Sequence, residues 1–390
     1  MSAPDLPDFP LDKQPSLFDT PPDDPEPETS GTPSEAEAVA APKSVPLADV
    51  AVTARGPFGR LMNENFLQFA SYSICDRALP TVEDGLKPVQ RRILHAMWEK
   101  DDGRFSKVAG VVGNAMHYHP HGDAAIKDAI VTLANKRYLI QGQGNFGNIL
   151  TGDEAAAARY IECRLTKLAR DLLFSPKVTE YVPSYDGRNQ EPVLLPAKVP
   201  LSLMLGIDGI AVGLSTSILP HNFIELLEAE IAILQRKPCP TLVPDFITGG
   251  LMDASEYDDG RGSIRVRAQI EERKGERNKL FITSVPYGVT TDRLAESVEK
   301  AIKTKKLPIR HIDNFTAEKV EIELTLSPGS DAEKVREALY AFTECERKIS
   351  SRIVVLSANR PCEMTVSELL ARHAELLQDI FRREFQVRLG

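Results

Sequence analysis

Between residues 57 and 180, apolar positions recur at helical spacing in segments too short to hold together alone. Residues 65–73 read as a helix leading to Asp76-Arg77-Ala78-Leu79-Pro80. The next helix starts at Pro88, a residue suited to a first turn, and Val89, Ile93 and Met97 mark its buried face. Two short helices follow. Residues 106–116 put Val108, Val111, Val112 and Ala115 inward, and residues 123–135 do the same with Ile126, Ile130 and Leu133. Their link, His117-Tyr118-His119-Pro120-His121-Gly122, is tight, and Asp123 is expected as the N-cap. Helix, short turn, helix is the layout in which a second helix enters the DNA major groove. Tyr138-Leu139-Ile140 and the turn-rich residues 141–148 would then form a wing. From Tyr160, Ile161, Leu165, Leu168 and Leu172 trace one apolar helical stripe, and Tyr160, Arg164 and Lys167 share another, so a helix beginning at Tyr160 is expected.

Beyond residue 180 the periods mix. Residues 263–270 and 319–326 alternate as half-buried strands, and residues 280–285 and 353–356 read as two more. Residues 224–235, 293–303 and 332–342 read as helices, and an apolar stretch punctuated by glycine covers residues 201–215. This is an α+β pattern. Thr365-Val366-Ser367-Glu368 is a capping box. Its helix runs through Leu370, Leu377, Ile380 and Val387 to Gly390 with no stop signal, as if a coiled-coil partner lay in missing sequence, and the favoured reading is that the chain is a fragment.

Charge changes the picture in one place. The net charge is −9, but residues 1–55 hold 11 acidic and 3 basic residues, leaving 44 basic and 45 acidic groups in the rest. The body is thus neutral on average, and a nucleic-acid site must be a local patch. Residues 1–55 also hold 11 of the 28 prolines and are expected to be a disordered acidic tail. No apolar run is long enough for a membrane span, and the five dispersed cysteines read as reduced thiols of a cytoplasmic protein.

Tyr160 is the chemical centre of this reading. A phenol among cations at a helix N-terminus, after the small residues Ala155-Ala156-Ala157-Ala158 and Arg159, is a plausible phosphate site. The alternative is a tyrosine packed on the core. Lys87, Arg91 and Arg92 gather at the start of another helix. His117, His119 and His121 are spaced like metal ligands, but Pro120 and Gly122 bend the chain between them and no cysteine completes a zinc motif, so no metal site is assigned. Phosphate contact by imidazole N–H is the better reading. The glycine-rich residues 141–148 lack the G-x-x-x-x-G-K-[ST] signature, so ATP binding by this chain is not expected.

Taken together, Asp76-Arg77-Ala78-Leu79-Pro80, Asp84-Gly85-Leu86-Lys87-Pro88-Val89-Gln90-Arg91-Arg92, Tyr118-His119-Pro120-His121-Gly122-Asp123, Gly142-Gln143-Gly144-Asn145 and Ala158-Arg159-Tyr160 resemble the A subunits of the bacterial type IIA topoisomerases, DNA gyrase and topoisomerase IV. Gly260-Arg261-Gly262-Ser263-Ile264-Arg265 and Lys305-Lys306-Leu307-Pro308 look more like topoisomerase IV. The resemblance implies a disordered tail (1–55), a winged-helix DNA-gate domain with the catalytic tyrosine (56–180), an α+β tower domain (181–360) and the start of a coiled coil (361–390). It also implies that Tyr160 attacks DNA to give a 5′-phosphotyrosyl link, with Arg159 stabilising the transition state. Arg77, Lys87, His119 and His121 match DNA-contacting positions, Arg91 and Arg92 could add backbone contacts, and Val199 sits where an isoleucine wedges between base pairs. Mg²⁺ and ATP would be held by a partner B subunit in an A2B2 heterotetramer built on a dimer of A subunits, acting on double-stranded DNA in the nucleoid. Ala124 and Asp128 match the positions that anchor quinolone drugs, where relatives carry a serine and an acid. Without that hydroxyl, weaker quinolone poisoning is expected, and Ala124→Ser should raise drug-stabilised cleavage in the reconstituted enzyme.

Two rivals differ in kind. A tyrosine recombinase needs H-x-x-R, and none of the seven histidines has Arg three residues on. A non-enzymatic winged-helix DNA-binding protein would bind DNA without forming an adduct.

Overall fold

The computed structural model describes residues 56–276 and 278–389, so the acidic tail at 1–55 lies outside the described residues. The chain is mixed helix and strand. Helix α1 (Pro57–Tyr72) runs into a π-helical turn (Ser73–Ala78), longer than the segment the sequence predicts. Helix α2 (Pro88–Glu99) follows, then a two-residue strand β1 (Ser106–Lys107), α3 (Val108–Ala115) and α4 (Asp123–Asn135). The inward residues of α3 and α4 are those their spacing predicts. The cap of α4 is Gly122, however, and Asp123 is the first helical residue, where its carboxylate faces the positive end of the helix.

The largest departure lies at Tyr160. In place of a helix, residues 157–160 form a turn and Glu162–Leu165 is strand β3. β3 is the centre of an antiparallel sheet, between β1 and β2 (Ile140–Gln143). Ile161, Cys163 and Leu165 point inward in strict alternation, each 2% exposed or less. Helix α5 (Lys167–Leu173) begins only after Thr166, whose Oγ1 accepts from Ala169 N at 3.1 Å and donates to Tyr138 O at 2.7 Å. Its buried residues are Ala169 and Leu173, so the predicted Leu168/Leu172 stripe is not the inner face.

Next come the hairpins β4–β5 (Tyr181–Pro183, Gln190–Pro192) and β6–β7 (Ile207–Ile210, Ser215–Ile218), separated by α6 (Leu201–Leu205). Helix α7 (Phe223–Leu234) is capped by Asn222. β8 (Leu251–Asp253) and β9 (Ser263–Arg267) pair with β14 (Glu346–Ser350) in the order β14-β9-β8. Between β9 and β14 the chain builds a four-stranded antiparallel sheet, β10-β11-β13-β12, from Ile270–Glu271, Lys279–Ile282, Ile309–Asn314 and Ile322–Leu326. Helices α8 (Thr291–Lys303) and α9 (Ala332–Phe342) share its core of Leu280, Ile282, Leu294, Val298, Leu324 and Leu339. A second, larger core is continuous from Val82 through Ile130, Leu165, Leu203 and Leu226 to Leu370, and so runs across residue 180. The hairpin β15–β16 (Val354–Ser357, Arg360–Glu363) leads to the terminal helix α10 (Val366–Leu389). The capping box is formed in both directions: Glu368 N donates to Thr365 Oγ1 at 3.1 Å, and Thr365 N donates to Glu368 Oε2 at 2.8 Å. A buried His373–Glu230 pair ties α10 to α7. Among the described residues no helix is long and apolar enough to cross a membrane, and all five cysteines are free.

Candidate nucleic-acid interface

The turn carrying Arg159 and Tyr160 is fixed from below by helix α3. The first N–H groups of a helix lack intrahelical partners, and here Val108 N donates to Ile161 O at 3.0 Å while Ala109 N donates to Ala158 O at 3.1 Å. Tyr160 N closes the turn onto Ala157 O at 2.9 Å, and Ala156 N bonds Asn145 O on the loop after β2. A backbone so held aims its side chains outward. Tyr160 is 65% exposed, and the Arg159 guanidinium lies 4.6 Å from the centre of its ring. Among the described residues no side chain hydrogen-bonds the phenolic hydroxyl. Arg164, expected beside it, is turned away: it stacks on Phe105 and bonds Gln141 Oε1 and Gly103 O, both at 3.0 Å.

A second cluster forms where α1, α2 and the α3–α4 link converge. Tyr72, Arg77, His119, His121 and Ala125 line a cleft of about 300 Å³. Arg77 is exposed on the π-helical turn. The Tyr72 hydroxyl meets His121 Nε2, and the His121 ring packs edge-to-face on His119 at 4.4 Å. His119 is 5% exposed. Burial, with the charges of His121 and Arg92 beside it, pushes its imidazole down to about 4.

The adjacent arginines of α2 do different work from that expected. Arg91 is 7% exposed, and its guanidinium donates to Asp84 Oδ2 at 2.5 Å and Oδ1 at 2.9 Å. Asp84 itself is 1% exposed and also accepts from Thr81, Leu86 N and Leu195 N. The loop holding it depends on Gly85, at φ +66°, because a Cβ there would lie 2.6 Å from Ser202 N. Arg91 is therefore a core residue out of reach of a phosphate. Arg92 is half-buried, with its fork on Glu191 at 2.5 and 3.1 Å and its Nη1 on His119 Nδ1 at 3.2 Å, so three of its five donors are already engaged within the fold.

The expectation of a wedge at Val199 does not fit its burial. Val199 is 3% exposed and belongs to the large core, so it cannot enter a base step. Ile210, at the tip of the β6–β7 hairpin, is 87% exposed. Along β6 the inward residues are Ile207 and Gly209 and the outward ones Asp208 and Ile210. An isoleucine on the polar face of a short strand was the signal available in the sequence. The hairpin is braced on both sides. Gly209 packs so closely on the π-helical turn that a Cβ would sit 2.2 Å from Ala78 O. Lys87 Nζ donates to Asp208 O at 2.6 Å, and Lys136 Nζ donates to Gly206 O at 2.9 Å and also to Leu205 O. Desolvation lowers both lysines below their ordinary range, with Asp208 opposing it. Lys136 has no place in the sequence motifs, and only the fold brings it to this strand.

Ala124 and Asp128 are both exposed, one helical turn apart on α4. Among the described residues no three acidic, histidine or cysteine side chains converge to hold a metal ion.

The sequence model of a family described as the DNA gyrase/topoisomerase IV A subunit matches residues 77–390. The A subunit of DNA topoisomerase 4 from Borreliella burgdorferi is 49% identical over 84% of this chain and 52% of its own length. The corresponding topoisomerase 4 protein of Rickettsia conorii is 38% identical over 84% of the chain and 48% of its own length. The A subunit of DNA gyrase from Staphylococcus epidermidis is 36% identical over 84% of the chain and 40% of its own length. The chain spans about half the length of these relatives. With a matched segment that holds the tyrosine turn, both cleft histidines and the terminal helix alike, the chain belongs to the family of DNA gyrase/topoisomerase IV A subunits.

Proposed function

We propose that this chain is the DNA breaking-and-rejoining part of an ATP-dependent type IIA topoisomerase, closer to topoisomerase IV than to gyrase. The observation that carries the reading is an exposed phenol on a turn fixed by the α3 N-terminus, with an arginine over its ring. The higher identity to topoisomerase 4 proteins than to a gyrase protein supports the finer assignment. In this reading α3, α4 and the β1-β3-β2 sheet are a winged helix within residues 56–180, residues 181–360 are the tower, and α10 opens a coiled coil.

The Tyr160 oxygen attacks a backbone phosphorus. A P–Oη bond forms, the P–O3′ bond breaks, and the phenolic proton is balanced by protonation of the leaving 3′ oxygen. Reversal reseals the strand. Arg159 stabilises charge on the phosphoryl oxygens. Arg77 and Lys87 contact the backbone, and His119 and His121 donate to it from the cleft. Mg²⁺ and ATP belong to the B subunit of an A2B2 assembly in the nucleoid, and no step of this chain's chemistry is assigned to them.

The test combines the chain with a cognate B subunit, Mg²⁺ and supercoiled plasmid. Denaturing gels should show protein linked to 5′ ends, and an absence of any linkage would overturn the proposal. Ile210 takes the wedge role in place of Val199. Ile210→Ala should leave stability nearly unchanged but reduce bending of an end-labelled duplex, read by energy transfer, because a base step is no longer unstacked. Val199→Ala should do the reverse, losing about 2 kcal/mol of stability with the bend intact.

A further inference from the structure

We infer that Arg92, clamped by Glu191, is a positioning residue that sets the tautomer of His119, so that the imidazole carries its proton on Nε2 and donates it to a DNA phosphate oxygen. The inference rests on the DNA-cleavage reading above, but its geometry is local. A guanidinium has five donors and no acceptor. The 3.2 Å contact from Arg92 Nη1 therefore requires a lone pair on His119 Nδ1, and the ring proton must sit on Nε2. Among the described residues Nε2 has no hydrogen-bond partner, and the ring lines the cleft shared with Arg77 and His121.

Glu191 makes the arrangement rigid. It takes two of Arg92's donors in parallel, at 2.5 and 3.1 Å, which fixes the plane of the guanidinium and hence the direction of the bond to Nδ1. Glu191 lies on β5, 99 residues from Arg92. Its strand is secured to the same helix a second time by His95 Nε2, 3.0 Å from Gln190 O. The charged groups around His119 are Arg92 from α2, His121 from the same link, and Asp76 and Arg77 on the π-helical turn across the cleft, with Glu191 beyond the arginine. Burial first, and then the charges of His121 and of the donating Arg92, disfavour a second proton on the ring. His119 thus acts as a hydrogen-bond donor and not as the base that receives the Tyr160 proton.

Selective ¹⁵N-histidine labelling and long-range ¹H–¹⁵N correlation on the chain without DNA read this directly. His119 should show the Nε2–H tautomer and no titration between pH 8 and 5. The Nδ1–H tautomer, or a midpoint above pH 6, overturns the inference whether or not Tyr160 forms an adduct. In Arg92→Met the donor to Nδ1 and its positive charge are both gone. The midpoint should then rise from about 4 while burial and His121 still hold it below the ordinary imidazole range, and adduct formation with the B subunit should slow by about 10- to 100-fold, the effect of one misdirected hydrogen bond to a charged group. Glu191→Gln keeps the arginine but loosens its plane, and should give mixed tautomers with a smaller rate loss. Unchanged cleavage in Arg92→Met, alongside an altered tautomer, would show that the ring's orientation is irrelevant to the reaction and would sink the proposal.

Discussion

Tyr160→Phe is expected to abolish the covalent adduct completely while leaving the fold and DNA binding intact. The separation follows from the turn's construction. Backbone bonds from Val108, Ala109 and Tyr160 itself hold it, and none involves the phenol. The ring is 65% exposed and the hydroxyl has no hydrogen-bond partner among the described residues, so its loss falls within the ±0.5 kcal/mol usual for surface changes. The Arg159 guanidinium still has a ring face to lie on. Thermal melts and filter binding at two salt concentrations should match those of the unaltered chain, and denaturing gels should show no linked DNA. Persisting adduct would mean another nucleophile does the chemistry. A large drop in melting temperature would mean the tyrosine is a packing residue after all.

Asp84→Ala is expected to be among the most damaging single changes to stability, at about 3–5 kcal/mol, because it strands the buried Arg91 cation. Asp84 gathers donors from Thr81, Leu86, Arg91 and Leu195, so one carboxylate joins the start of α2 to the segment before α6. Replacing both partners, as Asp84→Leu with Arg91→Leu, should restore much of the loss, since well-packed apolar residues can replace a buried ion pair. Urea titrations of the three proteins measure this. The double variant also tests the reassignment of Arg91. A phosphate-contacting arginine contributes close to one unit to the slope of log affinity against log salt. An unchanged slope is expected, and a reduced one would return Arg91 to the DNA surface.

Much of the fold is legible from spacing. Helix α9 has the predicted limits, α4 the predicted inner face, and the capping box at Thr365 forms as the sequence pattern requires. The failure at Tyr160 has a definite cause. Ile161 and Leu165 are four apart, which fits a helix and an alternating strand equally well, and Cys163 between them decides for the strand. Thr166, a strong cap, marked the true helix start. The candidate site was legible as chemistry but not as geometry. Arg91 and Arg92 read alike in sequence, and what separates them is Asp84 on one side of the helix and Glu191, far along the chain, on the other. Val199 and Ile210 are both β-branched and apolar, and only the fold shows that the first is buried and the second exposed.

The ammonium of Lys87 has one donor on the carbonyl of Asp208, two residues before Ile210, and two more to offer. In the proposed reading, gripping the sugar–phosphate rail and levering open the helix stack are therefore linked through a single side chain. By thermodynamic reciprocity, a duplex that is already kinked must be held more tightly at that rail, and one held tightly must kink more readily. On that proposal, pre-curved DNA is expected to bind more tightly than straight DNA of the same sequence, which competition between a minicircle and its linear form would measure.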